Sequence, residues 1–287
     1  MILTVDVGNT NVCLGVFDDD KLVTESRMDT DATRMADQYA IIIREILALY
    51  DIDSKQIDGA IISSVVPTVT TQLKAAIKKL YGVTPLMVEP GLKTGLNIKI
   101  DDPSTLGADL ACGAVAAKEL YPLPCVVIDV GTATKVYALD KSGAMLGGII
   151  APGIKISLEA LADRTAALPL INLGKVDNVI GTNTVDCMRS GILYGTAGML
   201  DNFIERFQEQ IGKGSVVATG GYSRIIQPYC RNKFEVNPNL LLEGLRIIYN
   251  KNVKKKQGEP LYVKSYSGFS LAVGKGVIWL PATRKTP

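Results

Sequence analysis

Two stretches of the sequence place an acidic residue at the end of an apolar run and continue with glycine and small polar residues. The first, DVGNT, starts at Asp6, and the second, DVGTA, starts at Asp129, 123 positions later. Glycine allows close approach of a ligand, and backbone N–H groups with nearby hydroxyl and amide groups bind phosphate oxygens. A carboxylate beside such a site is favourable when Mg²⁺ lies between the two. For either copy alone, a plain hairpin turn is the alternative.

The sequence contains no histidine, which excludes Ser-His-Asp and Cys-His nucleophiles and imidazole metal ligands. Acid–base chemistry must therefore use carboxylates, lysines, hydroxyls or water. Asp109 follows Leu-Gly-Ala and opens an alanine-rich helix where the first half of the chain meets the second. It is a candidate general base that directs a substrate hydroxyl toward a γ-phosphate. The alternative is a structural acid that is favourable in the first turn of a helix.

Two further turns have both a functional and a structural interpretation. In IGTNT, Thr182 and Thr184 precede a predicted helix, so they either cap it or, at Thr184, offer a hydroxyl to a substrate. The glycine turn in ATGG at 218–221 suits contact with adenosine, and a turn without function is equally compatible. Neither the GxxxxGK[ST] nor the GxGxxG pattern of other nucleotide sites is present.

Composition places the chain among globular proteins with a substantial core, because 47% of its 287 residues are hydrophobic and 21% charged. No apolar run is long enough to span a membrane, and the N-terminus lacks a signal-peptide pattern, so we expect a cytoplasmic protein. Five scattered cysteines indicate free thiols. A 35-residue C-terminal tail at 253–287 holds seven of the 31 basic residues and one of the 29 acidic residues. The remaining residues 1–252 are therefore mildly acidic, and this argues against nucleic-acid binding.

The elements that must position these residues occur in the order β-β-β-α-β-α-β, and the order appears twice. Apolar runs that end in glycine or proline predict the strands, and helical spacing predicts helices at 33–49, 154–167 and 184–211. The repeat indicates an α/β protein with two duplicated ribonuclease-H-like lobes and a cleft between them. Such lobes typify the actin, sugar-kinase and heat-shock-chaperone ATPase superfamily. We expect lobes at 1–118 and 119–252.

Seven motifs in this order resemble those of the type III pantothenate kinases: DVGNTN, ISSVVP, LGAD, DVGTAT, GGIIAPGIKISLEAL, IGTNT and ATGG. The resemblance runs from Met1 to about Asn252. It implies ATP-dependent phosphorylation of pantothenate to 4′-phosphopantothenate, the first step of coenzyme A biosynthesis. It also implies a homodimer in which the second lobe forms much of the interface, near the pantothenate pocket.

The resemblance also implies a role for individual residues. Asp109 is the proton acceptor, Asp129 binds a monovalent cation (K⁺ or NH₄⁺), and Asp6 belongs with ATP and its Mg²⁺. The residues implied to contact ATP are Asp6, Val7, Gly8, Asn9, Thr10, Asn11, Val12, Cys13 and Thr132. Those implied to contact pantothenate are Ile100, Gly107, Ala108, Asp109, Leu110 and Thr184.

Three positions depart from the family pattern. Leu110 stands where the family has Arg, Ile100 where it has Tyr, and Lys135 where it has a second Thr after GTAT. Leu110 cannot make a salt bridge to a substrate, so altered substrate binding is expected. A nucleotide-binding regulatory paralogue without catalysis, or a kinase for another hydroxyl compound, are the alternatives. The basic tail at 253–287 lies outside the resemblance.

Overall fold

The first of two sheets in the computed structural model, which describes residues 1–253, is mixed and has five strands. Its strands are β1 (Ile2–Val7), β2 (Asn11–Asp18), β3 (Lys21–Asp29), β4 (Gly59–Ser64) and β5 (Leu86–Met87). Their order is β3-β2-β1-β4-β5. The central β1 pairs antiparallel with β2 and parallel with β4.

The second sheet repeats this topology. Its strands are β6 (Cys125–Val130), β7 (Ala133–Leu139), β8 (Met145–Pro152), β9 (Ser215–Thr219) and β10 (Glu235–Val236). Their order is β8-β7-β6-β9-β10, and β6 pairs antiparallel with β7 and parallel with β9. Strand β6 is therefore the counterpart of β1, and the predicted duplication of ribonuclease-H-like α/β lobes is confirmed. The predicted order of elements differs in one respect, because two helices rather than one separate β8 from β9.

Seven helices connect or cover the strands of the described residues. They are α1 (Ala36–Ala48), α2 (Pro67–Tyr81), α3 (Ala108–Leu120), α4 (Ile154–Arg164), α5 (Thr184–Ile211), α6 (Ser223–Ile226) and α7 (Leu240–Asn252). Helix α5 begins and ends at the predicted residues, because the Asn183 side chain accepts a hydrogen bond from the Asp186 N–H and Gly212 ends the helix. Helix α1 is shorter than predicted and begins after Met35.

Each sheet has a core on one face. Leu3 and Val5 of β1 pack with Ile43 of α1 and Leu73 of α2, and all four are fully buried. Ile128 of β6 is buried in the corresponding core with side chains of α4 and α5. Each such side chain contributes about 1.5–3 kcal/mol relative to an exposed position. These cores hold β1 and β6 in place, and thereby the turns that follow them.

Helices α3 and α7 pack against each other and contact both sheets. Val115 and Leu245 share a core with Ile61 of the first sheet, whereas Ala117 packs with Val127 of the second. Small residues allow this approach: a Cβ on Gly244 would lie 2.0 Å from the carbonyl oxygen of Cys112. The predicted lobe boundary at 118/119 falls within α3. The division into lobes at that residue stays a prediction.

Within 1–253, no helix combines the length and the apolar character that a bilayer crossing requires. The longest helix, α5, carries several charged residues. The predicted basic tail lies, except for Val253, outside the described residues.

Candidate active site

The two Asp-Val-Gly turns occupy equivalent positions in the two sheets. Asp6 lies in the last pair but one of β1 and β2 before the turn, and Asp129 lies at the same point of β6 and β7. The Gly8 N–H donates to the Asn11 carbonyl at 2.9 Å, and the Gly131 N–H donates to the Ala133 carbonyl at 3.2 Å. Both turns are therefore tight hairpins at the carboxyl ends of the central strands, where α/β folds bind ligands.

The two turns meet each other across the cleft. The hydroxyl oxygens of Thr10 and Thr132 lie 2.9 Å apart and share a hydrogen bond, and both side chains belong to exposed residues. Asn9 and Asn11 are exposed beside them. The structure thus assembles amide, hydroxyl and backbone N–H groups from both halves of the chain at one place, as a phosphate site requires.

Two other glycine turns pack against the Asp129 turn. A Cβ on Gly153 would lie 2.1 Å from the Thr132 carbonyl oxygen. Gly220, in the ATGG turn, has a φ of +90°, and a Cβ there would lie 2.6 Å from Asp129 Oδ1. Only glycine fits either position, so these two glycine turns pack directly against the turn that follows Asp129.

Asp109 and Asp129 are joined by a lysine that the sequence reasoning noted only as a departure. Lys135 Nζ donates to Asp109 Oδ2 and, at 3.2 Å, to Asp129 Oδ2. Asp129 and Lys135 are paired across β6 and β7, which directs both side chains to the same face. The register of the predicted hairpin could have indicated from sequence that Asp129 and Lys135 lie side by side. The approach of Asp109 from α3 could not be predicted in this way, because it depends on the packing of the two halves.

The carboxylates of this cluster perturb one another. Burial raises the pKa of Asp6 to about 7, and the charges of Asp109 and Asp129 add to the effect. Burial also raises the pKa of Asp129, although Lys135 opposes the shift. Burial disfavours the charged form of Lys135, but Asp129 and Asp109 outweigh it and raise the pKa of the ammonium above its usual value. The cluster thus combines three acids with one firmly charged lysine, and perturbed groups of this kind concentrate at functional sites.

The remaining residues implied to contact ATP differ in what they can offer. Val7 and Val12 are buried in the first core, so only their backbones face the turn. Cys13 lies opposite Asp6 in the register of β1 and β2. Burial and the charge of Asp6 raise the pKa of its thiol to about 11, so the thiol is neutral at pH 7. Arg27, which sequence reasoning did not single out, brings Nη1 to 3.7 Å from where a Gly221 side chain would begin.

The start of α3 holds Asp109 in a fixed position. Gly107 is the N-cap and Ala108 the first helical residue. Asp109 Oδ1 accepts a hydrogen bond from the Leu110 N–H at 2.8 Å. The Leu110 side chain packs against the core formed by α3 and the second sheet. A Cβ on Gly147 of β8 would lie 3.8 Å from the Ile100 side chain, so Ile100 borders the edge strand of the second sheet.

Thr184 lies in a different place from the carboxylate cluster, at the start of α5. It is the first residue of α5 and is exposed. It lines an open pocket of about 600 Å³ with Leu168, Gly181, Thr182, Asn183, Cys187 and Met188. Its cap function belongs to Asn183. The hydroxyl of Thr184 is therefore available for a ligand or a neighbouring chain.

A family model and a curated relative identify the same family for this chain. The family model described as type III pantothenate kinase matches residues 2–206. A type III pantothenate kinase from an Exiguobacterium species is 41% identical over 254 residues, which cover 88% of this chain and 100% of the relative. Among solved structures, a Baf family protein from Campylobacter jejuni superposes with a TM-score of 0.56 at 18% identity, covering 87% of this chain and 98% of that one. At that identity, the last comparison supports the fold alone.

Proposed function

The chain belongs to the type III pantothenate kinase family, and on that premise we propose how its cleft carries out the ATP-dependent phosphorylation of pantothenate. The product, 4′-phosphopantothenate, is the first intermediate of coenzyme A biosynthesis. The observation that carries the proposal is the position of Asp109. Its carboxylate shares one ammonium with Asp129, beside the two turns that Thr10 and Thr132 join.

Asp109 accepts the proton of the pantothenate hydroxyl as that oxygen attacks the γ-phosphorus, whose bond to the β,γ-bridging oxygen breaks to release ADP. The bond from the Leu110 N–H fixes one carboxylate oxygen, and the lysine fixes the other. A carboxylate oxygen has two lone pairs, so both oxygens can still accept a further hydrogen bond. Positioning of this kind, together with charge stabilisation, supplies most of the catalysis in phosphoryl transfer.

The two turns bind the phosphates of ATP. The hydroxyls of Thr10 and Thr132 donate to phosphate oxygens in place of their mutual hydrogen bond. Exposed Asn9 and Asn11 and the backbone N–H groups of both turns complete the contacts. The arrangement places donors from both halves of the chain around the transferred group, where charge develops in the transition state.

Asp6 fits a divalent cation bound together with ATP. Among residues 1–253 it forms no ion pair with a lysine or arginine, and no group of three or more acidic or thiol side chains is available to hold a metal ion alone. Mg²⁺ is commonly bound by one or two carboxylates and by substrate phosphates. When bound, the ion neutralises phosphate charge, and Asp6 is the residue that holds it.

The resemblance assigns a monovalent cation, K⁺ or NH₄⁺, to Asp129, and the neighbours of this carboxylate argue against a free ion there. The carboxylate of Asp129 already accepts a hydrogen bond from the Lys135 ammonium. A second cation at that oxygen would meet a like charge. The residues present therefore do not fit a free monovalent ion beside Asp129, and no step is assigned to one.

On the pantothenate side, we infer contacts from Gly107, Ala108, Leu110 and Ile100 around the Asp109 carboxylate. Leu110 and Ile100 offer van der Waals contact, and Leu110 adds a backbone group. The open pocket at Thr184 fits the expectation that this hydroxyl acts near a subunit interface. Binding is expected to depend more on apolar contact than in relatives with Arg and Tyr at positions 110 and 100.

We also propose that the active protein is a homodimer formed through the second sheet. Edge strand β8 exposes apolar side chains, with Leu146 38% and Ile150 74% exposed. Residues 97–99 pair with β8 only at Met145, and exposed apolar side chains farther along an edge strand form a docking surface unless they are covered. Ile150→Lys is expected to shift the sedimentation coefficient from dimer to monomer, and an unchanged coefficient excludes this edge as the interface.

The experiment that tests the function is ADP release coupled to a spectrophotometric readout, with ATP and Mg²⁺ present. Release is expected to require pantothenate and to stay at background with sugars or other hydroxy acids. If ADP were released with another hydroxyl compound but not with pantothenate, that compound would be the substrate. ATP binding without turnover on any compound would favour a regulatory protein. The enzyme is expected in the cytoplasm, where fractionation of cells would locate it.

A further inference from the structure

Lys135 forms the only ion pairs recorded to the active-site carboxylates among residues 1–253. Its ammonium donates to Asp109 Oδ2 and to Asp129 Oδ2, the latter at 3.2 Å. All three side chains are largely shielded, with 20% of Lys135, 16% of Asp109 and 13% of Asp129 exposed. At such depth an ion pair is weakly screened by water and salt.

The position of the lysine follows from its strand. Lys135 lies directly opposite Asp129 in the antiparallel register of β6 and β7, two residues before fully buried Tyr137. Its ammonium reaches across to Asp109 at the start of α3. Asp109 comes from the first turn of α3, which is fixed by packing against both sheets. The ammonium thus joins two rigid elements.

The charge of the site requires such a cation. Asp6, Asp109 and Asp129 repel one another, and ATP adds further negative charge. Without a cation, two shielded carboxylates would be left uncompensated, which is strongly unfavourable. A lysine ammonium carries the same charge as NH₄⁺ or K⁺ and retains three N–H donors.

We propose that Lys135 is a tethered monovalent cation: its ammonium neutralises Asp129, positions Asp109 and makes the reaction independent of free K⁺ or NH₄⁺. The inference rests on the proposed function, because it concerns the same phosphoryl transfer. Lys135 touches Asp109 rather than substrate, so it is a positioning residue. Removing the side chain opens the place beside Asp129 to a free ion, and the variant becomes dependent on that ion.

The test compares wild type, Lys135→Thr, Lys135→Arg and Lys79→Thr in chloride salts of tetramethylammonium, Na⁺, K⁺ and NH₄⁺ at equal ionic strength. Lys79 is a matched control, since it is an exposed lysine paired with Asp37 on α1 and lies outside the site. Wild type and Lys79→Thr are expected to show kcat values within about twofold across all salts. Lys135→Thr is expected to lose roughly 100-fold in tetramethylammonium, the typical cost of one preorganised electrostatic group, and to recover in K⁺ or NH₄⁺. Lys135→Arg is expected to retain partial activity in every salt.

Activation of the wild type by K⁺, or a Lys135→Thr enzyme that is as fast as wild type in every salt, would overturn the proposal. Melting temperature provides a second readout that does not need turnover. K⁺ and NH₄⁺ are expected to raise the melting temperature of Lys135→Thr above its value in tetramethylammonium, whereas the wild type shows no such selectivity. Absence of pantothenate turnover in the wild type in every salt would instead refute the proposed function, while the melting data would still decide the role of Lys135.

Discussion

Replacement of Asp6 by asparagine is expected to stabilise the ligand-free protein and to abolish its activity. Burial and the charges of Asp109 and Asp129 raise the pKa of Asp6 from 3.8 to about 7. The folded state therefore binds the proton more tightly than the unfolded chain, and stability falls as the pH rises from about 4 to about 7. The shift of about 3 units corresponds to about 4 kcal/mol, the largest gain that the uncharged asparagine can give above pH 7.

The assay is urea unfolding without nucleotide and with EDTA, at pH 8 and at pH 5. The stabilisation is expected to be a few kcal/mol at pH 8 and clearly smaller at pH 5, because folded Asp6 is already protonated there. Asp163→Asn, at an exposed position of α4, is the control and is expected to change stability by less than about 0.5 kcal/mol at both values. An Asp6→Asn protein that is no more stable than wild type at pH 8 would refute the reasoning about charge repulsion in the cluster.

Two further predictions concern the stability of the fold outside the active site. Gly244→Ala is expected to lower the free energy of unfolding by at least about 1–3 kcal/mol, because the new Cβ would lie 2.0 Å from the Cys112 carbonyl oxygen. Gly198→Ala, at a position in α5 with open space, is expected to raise it by up to about 1 kcal/mol, and equal urea midpoints for the two variants would contradict both expectations. Asp140 accepts hydrogen bonds from Lys99, Ser142 and Ala144, which lower the pKa of its carboxyl. Asp140→Ala is therefore expected to lower the free energy of unfolding by about 1 kcal/mol at pH 7, and by less as the pH falls below about 3.9. A cost that persists in acid would contradict the role of the carboxylate.

Much of the fold could be predicted because the strands are short apolar runs with clear ends. The duplicated order placed Asp6 and Asp129 at equivalent strand ends, and the sheets confirm that equivalence. The helix predicted at about 184–211 is confirmed, although its N-cap is Asn183 rather than Thr182 or Thr184. Helix α1 was predicted three residues too early, because the Gln38 side chain accepts a hydrogen bond from the Met35 N–H and so caps the helix at Met35.

Contacts between distant segments could not be predicted from spacing. The packing of α3 and α7 between the sheets depends on small residues whose partners lie far away in the sequence, as at Gly244 and Cys112. The same packing brings Asp109 to Lys135, although 26 residues separate them. Sequence reasoning therefore identified the candidate base and the lysine as separate features, and their contact emerged from the fold.

The measurement that tests the central claim most directly is single-turnover phosphorylation of pantothenate by Asp109→Asn, with ATP affinity measured on the same protein. Asparagine keeps the shape of the side chain but cannot accept a proton. The rate is expected to fall by about 10²–10⁴-fold, the usual contribution of a general base, while the dissociation constant for ATP changes little. A normal rate with normal ATP binding would remove Asp109 from the proton-acceptor role.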